Sequence, residues 1–532
     1  MPTNKPKSTL IKVWNNWEDG IGFTYDDGRS NGLLRSNGII GLANELRPAP
    51  IQNTTSCEPS TASSAQYFFE DFPANLAAND AVMYVTYAGT GNVDSAAINT
   101  AYMKVDLRNA TYGTEIEAPE VSNVDTPYGQ AARYRDDWYI PRGTTTRWIA
   151  SIAAAGAVDG GGANNLLTLG DGNAGFDHLA SLNFRLSGVR KNSGAGILKT
   201  DGTVGTEADW GSYFQVGEKN LRPLAVAALQ DLMFVLTAEG LFSFNDKGRS
   251  RLVFNDFRFF RTNLREVQMV PWLDGLLIPT LAGLLFYAPG ERPVTIGPFD
   301  QPRAMPSPPT VLTQLQTGRW HGITIIGDNI YGLYQRDLTS DANVDILFGR
   351  AIAGDPTKIR WQCLGTTTLF AANVFTGIFI STLGFPVSSG TPTPALWYNR
   401  GSAVVASNLL EYIVLDATGT PYHSQGSIHS PRADANCHMP EIVFPQPVDL
   451  DHIVVYTQRM TTGDTWGLTV LIDGDNTGRE VGPTILADGR HERILNRRAA
   501  KRLVLGVTNT TDSSSRNFTP GITRIELYGR PT

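Results

Sequence analysis

The sequence contains 532 residues with a net charge of −7, and 41% of them are hydrophobic while only 18% are charged. The length predicts two or three folded units rather than one, and the apolar content excludes a chain that is disordered throughout. The negative charge balance gives no support to nucleic-acid binding, which depends on neutralising phosphates with basic residues.

The cysteine count and residues 1–20 indicate the cellular compartment in which the protein is made. The three cysteines, Cys57, Cys363 and Cys437, are far apart, which argues against a disulfide framework and suits a reducing compartment. Residues 1–20 lack the apolar core of a signal peptide, and no stretch approaches 18 consecutive apolar residues. We therefore expect a soluble protein that is made in a cytosol and does not insert into a membrane.

Residues 1–75 predict an extended N-terminal arm. They are rich in Asn, Gly, Ser, Thr and Pro, and their apolar residues occur only in short clusters. Such a segment cannot build a core of its own, so we expect it to order on a partner, and its deletion to weaken assembly more than folding. The alternative is a partly ordered tail. The candidate partner-binding residues are Trp14, Trp17, Phe23, Leu33, Leu34, Ile39 and Ile40.

From residue 76 to residue 425, short apolar strands recur behind turn residues. Seven apolar or aromatic positions mark the repeats and lie 43 to 54 residues apart: Tyr84, Trp138, Phe184, Phe234, Leu277, Tyr331 and Phe379. A period of about 40–50 residues with several strands in each repeat indicates a β-propeller, whose neighbouring blades bury each other's faces. Because propellers often complete one blade from both chain ends, the seven visible repeats predict six to eight blades.

Acidic residues recur at one point of these repeats, at Asp80, Asp136, Asp137, Asp231, Asp274 and Asp328. Carboxylates grouped near one rim would suit acid–base catalysis or metal binding. Aspartate is also a common turn former, because its side chain hydrogen-bonds to nearby backbone groups. Recurrence at the same point of each repeat favours the turn interpretation.

Residues 426–532 predict a C-terminal β-sandwich. Short strands alternate with period two, as in Leu468, Val470 and Ile472, and Gly, Asp and Asn turns separate them. No helical pattern lies between the strands, which excludes an α/β sheet. A basic run covers residues 490–502, and it is interpreted either as a solvated strand and turn or as a docking patch for an acidic partner surface.

Two groups of residues offer metal ligands without a recognised spacing. His423, His429, Cys437 and His438 supply the nitrogen and sulfur atoms that zinc prefers, but their spacing matches no common zinc site, which favours a linker between domains. Asp473, Asp475 and Asn476 supply oxygens for calcium, but they lie between two strands and predict a tight hairpin turn. We expect no bound metal and no cofactor.

The sequence lacks the common nucleophile and phosphate-binding motifs. It contains no Gly-x-Ser-x-Gly, no His-Glu-x-x-His and no Gly-x-x-x-x-Gly-Lys-Ser/Thr pattern. The aspartate box of sialidase propellers does not recur either. We therefore expect a protein that is not an enzyme and has no catalytic residues.

Three short segments resemble structural proteins of tailed bacteriophages, particularly propeller proteins associated with the tail. They are an opening strap (residues 17–20, 32–35 and 46–50), a domain junction (residues 426–440) and a chain end (residues 519–531). The resemblance implies a non-enzymatic virion component, a tail or head-to-tail protein. Such a protein would assemble with other virion proteins, and with copies of itself, through its arm, blade loops and sandwich.

Two other functions are compatible with the predicted fold, because propellers serve many functions. The first is a carbohydrate-binding or glycan-processing propeller used for receptor recognition, which would need a rim pocket with aromatic residues and two or three close carboxylates. The second is a cellular propeller scaffold. The virion protein remains the leading hypothesis.

Overall fold

The structure, a computed structural model, describes residues 8–22, 32–54, 63–71, 82–89, 101–106, 111–117, 132–135, 137–142, 148–152, 176–183, 185–190, 196–199, 214–216, 223–237, 240–245, 249–255, 269–280, 283–298, 319–335, 343–368, 377–382, 393–400, 409–421, 432, 434–475, 478–511 and 519–532. Within these ranges every regular element is a β-strand. No helix there is long and apolar enough to cross a membrane. The all-β class predicted from the sequence is confirmed.

The chain begins with five short strands that belong to two different sheets. They are β1 (Thr9–Trp14), β2 (Arg35–Asn37), β3 (Ile39–Gly41), β4 (Leu46–Pro48) and β5 (Asn53–Thr54). The first four join strands from the C-terminal part of the chain, and β5 joins a sheet that ends near residue 414.

Seven small antiparallel sheets follow in the described part of residues 63–414, and all but the second have four strands. The strands of the first four sheets are β6 (Ser63–Asp71), β7 (Val82–Gly89), β8 (Ala101–Asp106) and β9 (Thr111–Glu117); β10 (Ala132–Tyr134), β11 (Asp137–Arg142) and β12 (Trp148–Ile152); β13 (Phe176–Leu182), β14 (Arg185–Arg190), β15 (Gly196–Lys199) and β16 (Phe214–Gln215); and β17 (Pro223–Leu229), β18 (Leu232–Thr237), β19 (Leu241–Phe244) and β20 (Ser250–Phe254). The last three sheets comprise β21 (Val270–Trp272), β22 (Gly275–Thr280), β23 (Gly283–Tyr287) and β24 (Val294–Gly297); β25 (Arg319–Ile326), β26 (Asn329–Gln335), β27 (Asn343–Ile352) and β28 (Asp355–Thr368); and β29 (Ile378–Ser381), β30 (Ala395–Arg400) and β31 (Leu409–Val414).

The first strands of the small sheets lie against one another in series. Strand β10 contacts β13, and the series continues through β17, β21 and β25 to β29. Strand β29 of the last sheet in turn contacts β6 of the first. The last sheet takes its fourth strand from the N-terminal region, because β5 pairs with β31 at Tyr412↔Asn53 and Glu411↔Thr54.

A repeated turn joins the first two strands in five consecutive sheets. Each is a two-residue loop whose first residue has positive φ, at Arg135, Asn183, Gln230, Leu273 and Gly327. The second residue of three of these loops is Asp231, Asp274 or Asp328. The turn interpretation of these acids is confirmed. Asp137 is the first residue of β11, and Asp80 and Asp136 lie outside the described residues.

The assignment of strands within the repeats needs a correction. Most of the apolar strands predicted to begin a repeat are the second strands of their sheets, as in β7, β11, β18, β22 and β26. The true first strands were missed because they carry weak signals, such as the small residues of β17 (PLAVAAL). Residues 182–186, predicted as one strand, contain a turn, because Leu182 pairs with Arg185 across the β13–β14 hairpin.

The C-terminal strands form one large, barrel-like sheet of ten strands together with β1–β4. They are β32 (Asp434–His438), β33 (Ile442–Gln458), β34 (Thr465–Ile472), β35 (Arg479–Glu480), β36 (Gly489–Thr510) and β37 (Gly521–Pro531). The long strand β36 changes neighbours along its length. Its first half pairs with β33, and its second half, from Leu503, pairs with β34. The period-two prediction is confirmed, since Leu468, Val470 and Ile472 are buried.

The prediction of a separate arm over residues 1–75 is wrong in the structure. Strand β1 pairs with β37, β2 with β32 and β4 with β37, so these strands are integral to the large sheet. The small sheets also start earlier than residue 76, because β6 begins at Ser63. The physical reason is that the short apolar clusters find partners in remote parts of the same chain.

Candidate functional site

The predicted partner-binding residues lie inside the chain's own core. Trp14, Trp17, Leu33 and Ile39 belong to one buried cluster that also contains residues of the small sheets and of the large sheet. Ile40 lies in a second cluster among the last two small sheets, and Leu34 lies against Val504 of β36. Trp17, Leu33, Ile39 and Ile40 are 0% exposed. Phe23 lies outside the described residues.

This placement corrects the role expected for these residues. A side chain without exposed surface in the single chain cannot be an anchor for another molecule. Burial of a large apolar side chain stabilises the fold by about 1.5–3 kcal/mol or more. The described apolar residues of the N-terminal segment therefore join two parts of their own chain, and we call residues 9–22 and 32–54 the interlock.

Backbone hydrogen bonds fasten the interlock to β28. The Ile21 amide donates to the Trp361 carbonyl oxygen (2.7 Å), and the Gly38 amide donates to the Cys363 carbonyl oxygen (3.2 Å). Between them, the buried Gln362 side chain exchanges two bonds with the Gly41 backbone, accepting at 2.9 Å and donating at 2.7 Å. These contacts satisfy polar groups that burial would otherwise leave unpaired.

Glycine is required where the interlock approaches β28 most closely. Gly20 has a φ of +81°, and a Cβ atom on it would lie 2.1 Å from the Trp361 carbonyl oxygen. A side chain is excluded there by both the left-handed backbone and the contact.

A second set of contacts ties the interlock to the large sheet. The Leu34 amide donates to the His438 carbonyl oxygen (2.8 Å), and the Arg35 guanidinium donates through Nε to His438 Nδ1 (3.1 Å). Burial, and then the adjacent charge of Arg35, lower the pKa of His438 to about 4. The imidazole is therefore neutral near pH 7, where it acts as a hydrogen-bond acceptor.

Arg432 joins three parts of the molecule. Its amide donates to the Ala49 carbonyl oxygen (2.8 Å), its Nη1 donates to Gln52 Oε1 (3.1 Å) and its Nε donates to the Asp434 carbonyl oxygen (2.8 Å). Thr511 Oγ1 donates to the Arg432 carbonyl oxygen (2.7 Å). The interlock, the start of β32 and the end of β36 thus meet at one residue.

A groove of about 530 Å³ lies between residues 18 and 41–45 of the interlock and strands β27 and β28. Its charged lining consists of Glu18, Glu45, Arg350 and Arg360. Arg360 lies 3.6 Å from Glu18 in an ion pair. Glu45 is 8% exposed and accepts hydrogen bonds from Gln458 Nε2 (2.7 Å) and from Arg459. This groove could not be predicted from the sequence, because its residues come from remote segments of the chain.

The candidate metal ligands are dispersed or already engaged. Within the described ranges no group of three or more His, Cys, Asp or Glu side chains could hold a metal ion. Cys437 is a buried free thiol, and burial raises its pKa. Asp473 begins a turn, as predicted, and its Oδ1 accepts the amides of Lys501 (2.7 Å) and Arg502 (2.9 Å). His423, His429 and Asn476 lie outside the described residues.

The shifted pKa values of two aspartates are explained by hydrogen bonds within turns. The hydroxyl of Thr357, then Lys358 and the Thr357 amide, lower the pKa of Asp355 to about 2 in the tight β27–β28 turn. Burial would raise the pKa of Asp416, but hydrogen bonds from Thr420 and Thr418 outweigh it and lower that pKa. Both carboxylates therefore stabilise turns.

Comparison with known proteins assigns no family. No family model matches the chain, and no curated protein matches it. One similar solved structure is that of a computationally designed protein, Ika8, at 7% sequence identity and a TM-score of 0.37. The match covers 68% of this chain and 98% of the designed one. A TM-score at this level carries no argument about fold or function.

Proposed function

We propose that this chain is a non-enzymatic structural protein of a tailed-bacteriophage virion, a tail or head-to-tail component that assembles with other virion proteins. In this proposal the seven small sheets are the blades of a β-propeller, and the large sheet folds into a two-layered β-sandwich. The protein is made in the host cytoplasm, forms oligomers and needs no cofactor.

The succession of small sheets supports the propeller. The first strands of the second to the seventh sheets contact one another in chain order, and the first strand of the seventh sheet contacts that of the first. Strand β5, which precedes the first sheet in the chain, completes the last one. Fastening the last blade with a strand from the other end of the repeat region is a common way to close a ring, and closure protects sheet edges.

The two halves of β36 support the sandwich. The half that pairs with β33 and the half that pairs with β34 contribute to a single apolar core. Ile453 and Val455 of β33 lie in the same buried cluster as Leu468 and Val470 of β34. Two layers that share one core are the defining feature of a sandwich.

The interlock is the observation that carries the functional proposal. It ties the small sheets to the large sheet through buried residues and backbone hydrogen bonds on both sides. Relative motion of two domains is the usual expectation unless their interface is large and apolar. Because the interlock joins the small sheets to the large sheet, we expect little relative motion between them. This suits a component that holds a fixed geometry in an assembly.

The placement of acids agrees with a non-enzymatic role in the described part of the chain. The acids that recur in successive sheets, Asp231, Asp274 and Asp328, lie in hairpin turns. Asp355, Asp416 and Asp473 accept hydrogen bonds from neighbouring turn or strand groups. These carboxylates have structural partners, as turn residues do.

The groove with its four charged residues favours one second candidate, a carbohydrate-binding protein used for receptor recognition. Its carboxylates and guanidinium groups could accept and donate hydrogen bonds to a hydroxylated ligand of small size. A glycan array would test this candidate. Binding that is lost in Arg350→Ala would favour it over the structural role.

The leading proposal is tested on particles. Virions purified from the source of this sequence should contain the chain at a fixed copy number that matches the symmetry of the tail, as measured by quantitative mass spectrometry. Light scattering of the isolated chain gives its own oligomeric state. Absence of the chain from purified particles, with the chain recovered free in the lysate, would overturn the proposal.

A further inference from the structure

One side of β36 offers an open edge. Residues Gly489–Ile494 pair with β33 on one side, from Thr457↔Gly489 to His452↔Ile494. On the other side the described residues supply no strand before Leu503, where β34 begins to pair. Positive φ values at Asn496 and Ala499 end the regular part of the edge. Such an edge presents unpaired backbone donors and acceptors to any extended chain that reaches it.

An apolar side chain lies exposed on this edge. Ile494 is 67% exposed, the highest value for a large hydrophobic residue in the described part of the chain, which Leu486 in the preceding segment shares. Ile494 lies opposite His452, whose ring stacks on Tyr528 with centroids 4.5 Å apart. Leu10, 46% exposed, lies opposite Tyr528 on the next strand. A row of apolar and aromatic groups therefore crosses four strands and ends at the open edge.

The charge of the same segment is opposite to that of the rest of the chain. Residues 489–502 contain six of the 44 basic residues and one of the 51 acidic ones, so they carry +5 while the remainder carries −12. Arg497, Arg498 and Lys501 form no ion pair with any residue that the structure describes. Unneutralised positive charge beside an exposed apolar row favours a partner that is both acidic and apolar.

We propose that the edge of β36 at residues 489–495 binds an acidic, extended segment of a partner protein as an added β-strand. Its backbone pairs with the open edge, its apolar side chains cover Ile494, and its carboxylates meet Arg497, Arg498 and Lys501. This inference rests on the proposed assembly function for the existence of a partner, but its chemistry is independent of the partner's source.

A second copy of the same edge is disfavoured as the occupant. Pairing of two β36 edges would bring two segments of charge +5 together, and like charges on adjacent strands are destabilising. A nucleic acid would use the positive charge but would gain little from the exposed Ile494. The acidic strand alone uses all three features, namely the open backbone, the apolar row and the charge.

The test uses the full chain and synthetic peptides about ten residues long, the length of a long strand. An alternating Glu/Val peptide is the probe, an alternating Lys/Val peptide tests charge, and an alternating Glu/Gly peptide tests strand formation. We expect only the Glu/Val peptide to bind well, with weaker binding at high salt. Hydrogen exchange should show new protection confined to alternate amides of residues 489–495, because strand addition covers one side of the edge.

Substitutions distinguish binding at the β36 edge from a general effect of the protein's charge. Arg497→Glu combined with Arg498→Glu should weaken Glu/Val peptide binding by about tenfold or more. Arg479→Glu, on exposed strand β35, is the matched charge control and should leave binding unchanged. Ile494→Thr should also weaken binding, whereas Leu252→Thr, an exposed strand residue of β20, should not.

Several outcomes would overturn the proposal. These are equal binding of the Lys/Val or Glu/Gly peptide, binding without protection at residues 489–495, or tighter binding of duplex DNA that displaces the Glu/Val peptide. If the chain is present in virions but does not bind the Glu/Val peptide, only the proposed strand addition at β36 is refuted. If the chain binds the peptide but is absent from virions, only the proposed virion function is refuted.

Discussion

The small sheets and the large sheet are built in opposite ways. Each small sheet except the last uses strands that follow one another in the chain, so its pairings are local. The large sheet joins β1–β4 from the beginning of the chain to β32–β37 from its end. The comparison teaches that the small sheets depend on the interlock only where they touch it, while the large sheet depends on it for several of its strands.

The largest effect is expected where the interlock touches β28. Gly20→Ala places a methyl group against the Trp361 carbonyl oxygen, which forces the backbone apart and should cost about 3 kcal/mol or more of unfolding free energy. Gly290→Ala is the matched control, because Gly290 also has positive φ but has nothing within 4 Å of a Cβ atom, so about 1 kcal/mol is expected. Denaturant unfolding measures both. Equal losses of unfolding free energy in the two variants would show that the close approach of Gly20 to Trp361 does not matter for stability.

The contact between Arg35 and His438 should make the large sheet sensitive to acid. Burial and Arg35 lower the pKa of folded His438 to about 4, from 6.5 in the reference state. The folded state therefore binds fewer protons, so this stability is present above about pH 6.5 and is lost as the pH falls towards 4. The loss should reach about 3 kcal/mol at most.

The variant His438→Gln isolates the contribution of His438 to the pH dependence of stability, because the other titratable groups of the chain are unchanged. The difference in unfolding free energy between the native chain and the variant should shrink as the pH falls from about 7.5 to about 4. A difference that is constant over this range would mean that His438 titrates alike in the folded and unfolded states.

The smallest effect is expected in a small-sheet turn. Leu273 has a φ of +50° and is 44% exposed, so Leu273→Gly relieves a strained backbone while removing little buried surface. We expect unchanged stability or a gain of up to about 1 kcal/mol. Leu252→Gly is the control, since Leu252 is 45% exposed but lies in strand β20, where glycine should cost about 1 kcal/mol. A loss in both variants would contradict the expected strain.

The sequence predicted the local half of this fold. The spacing of residues such as Phe234, Leu277 and Tyr331 gave the repeats, and the alternation of Leu468 and Val470 gave the buried face of β34. Both patterns are carried by neighbouring residues, so they are visible in a single sequence. The first strands were harder to recognise, because a strand of small residues such as β17 lacks a clear periodic pattern.

The interlock could not be predicted from such patterns. Its strands are two to six residues long, and their partners lie hundreds of residues away, as for Arg35 and His438. Short apolar clusters of this kind look alike whether they fold on their own chain or on another molecule. The groove with Glu18 and Arg350 and the open edge of β36 likewise result from pairings between remote strands.

Hydrogen exchange on the full-length chain tests most directly whether residues 9–22 and 32–54 belong to the fold. The amides of Ile21, Gly38 and Gly41 donate to β28, and that of Leu34 donates to the large sheet. We expect these amides to exchange as slowly as those in the centre of β33, because all of them open only when the large sheet opens. Exchange of the four amides within seconds, while β33 stays protected, would contradict the interlock and restore the view of residues 1–75 as an arm awaiting a partner.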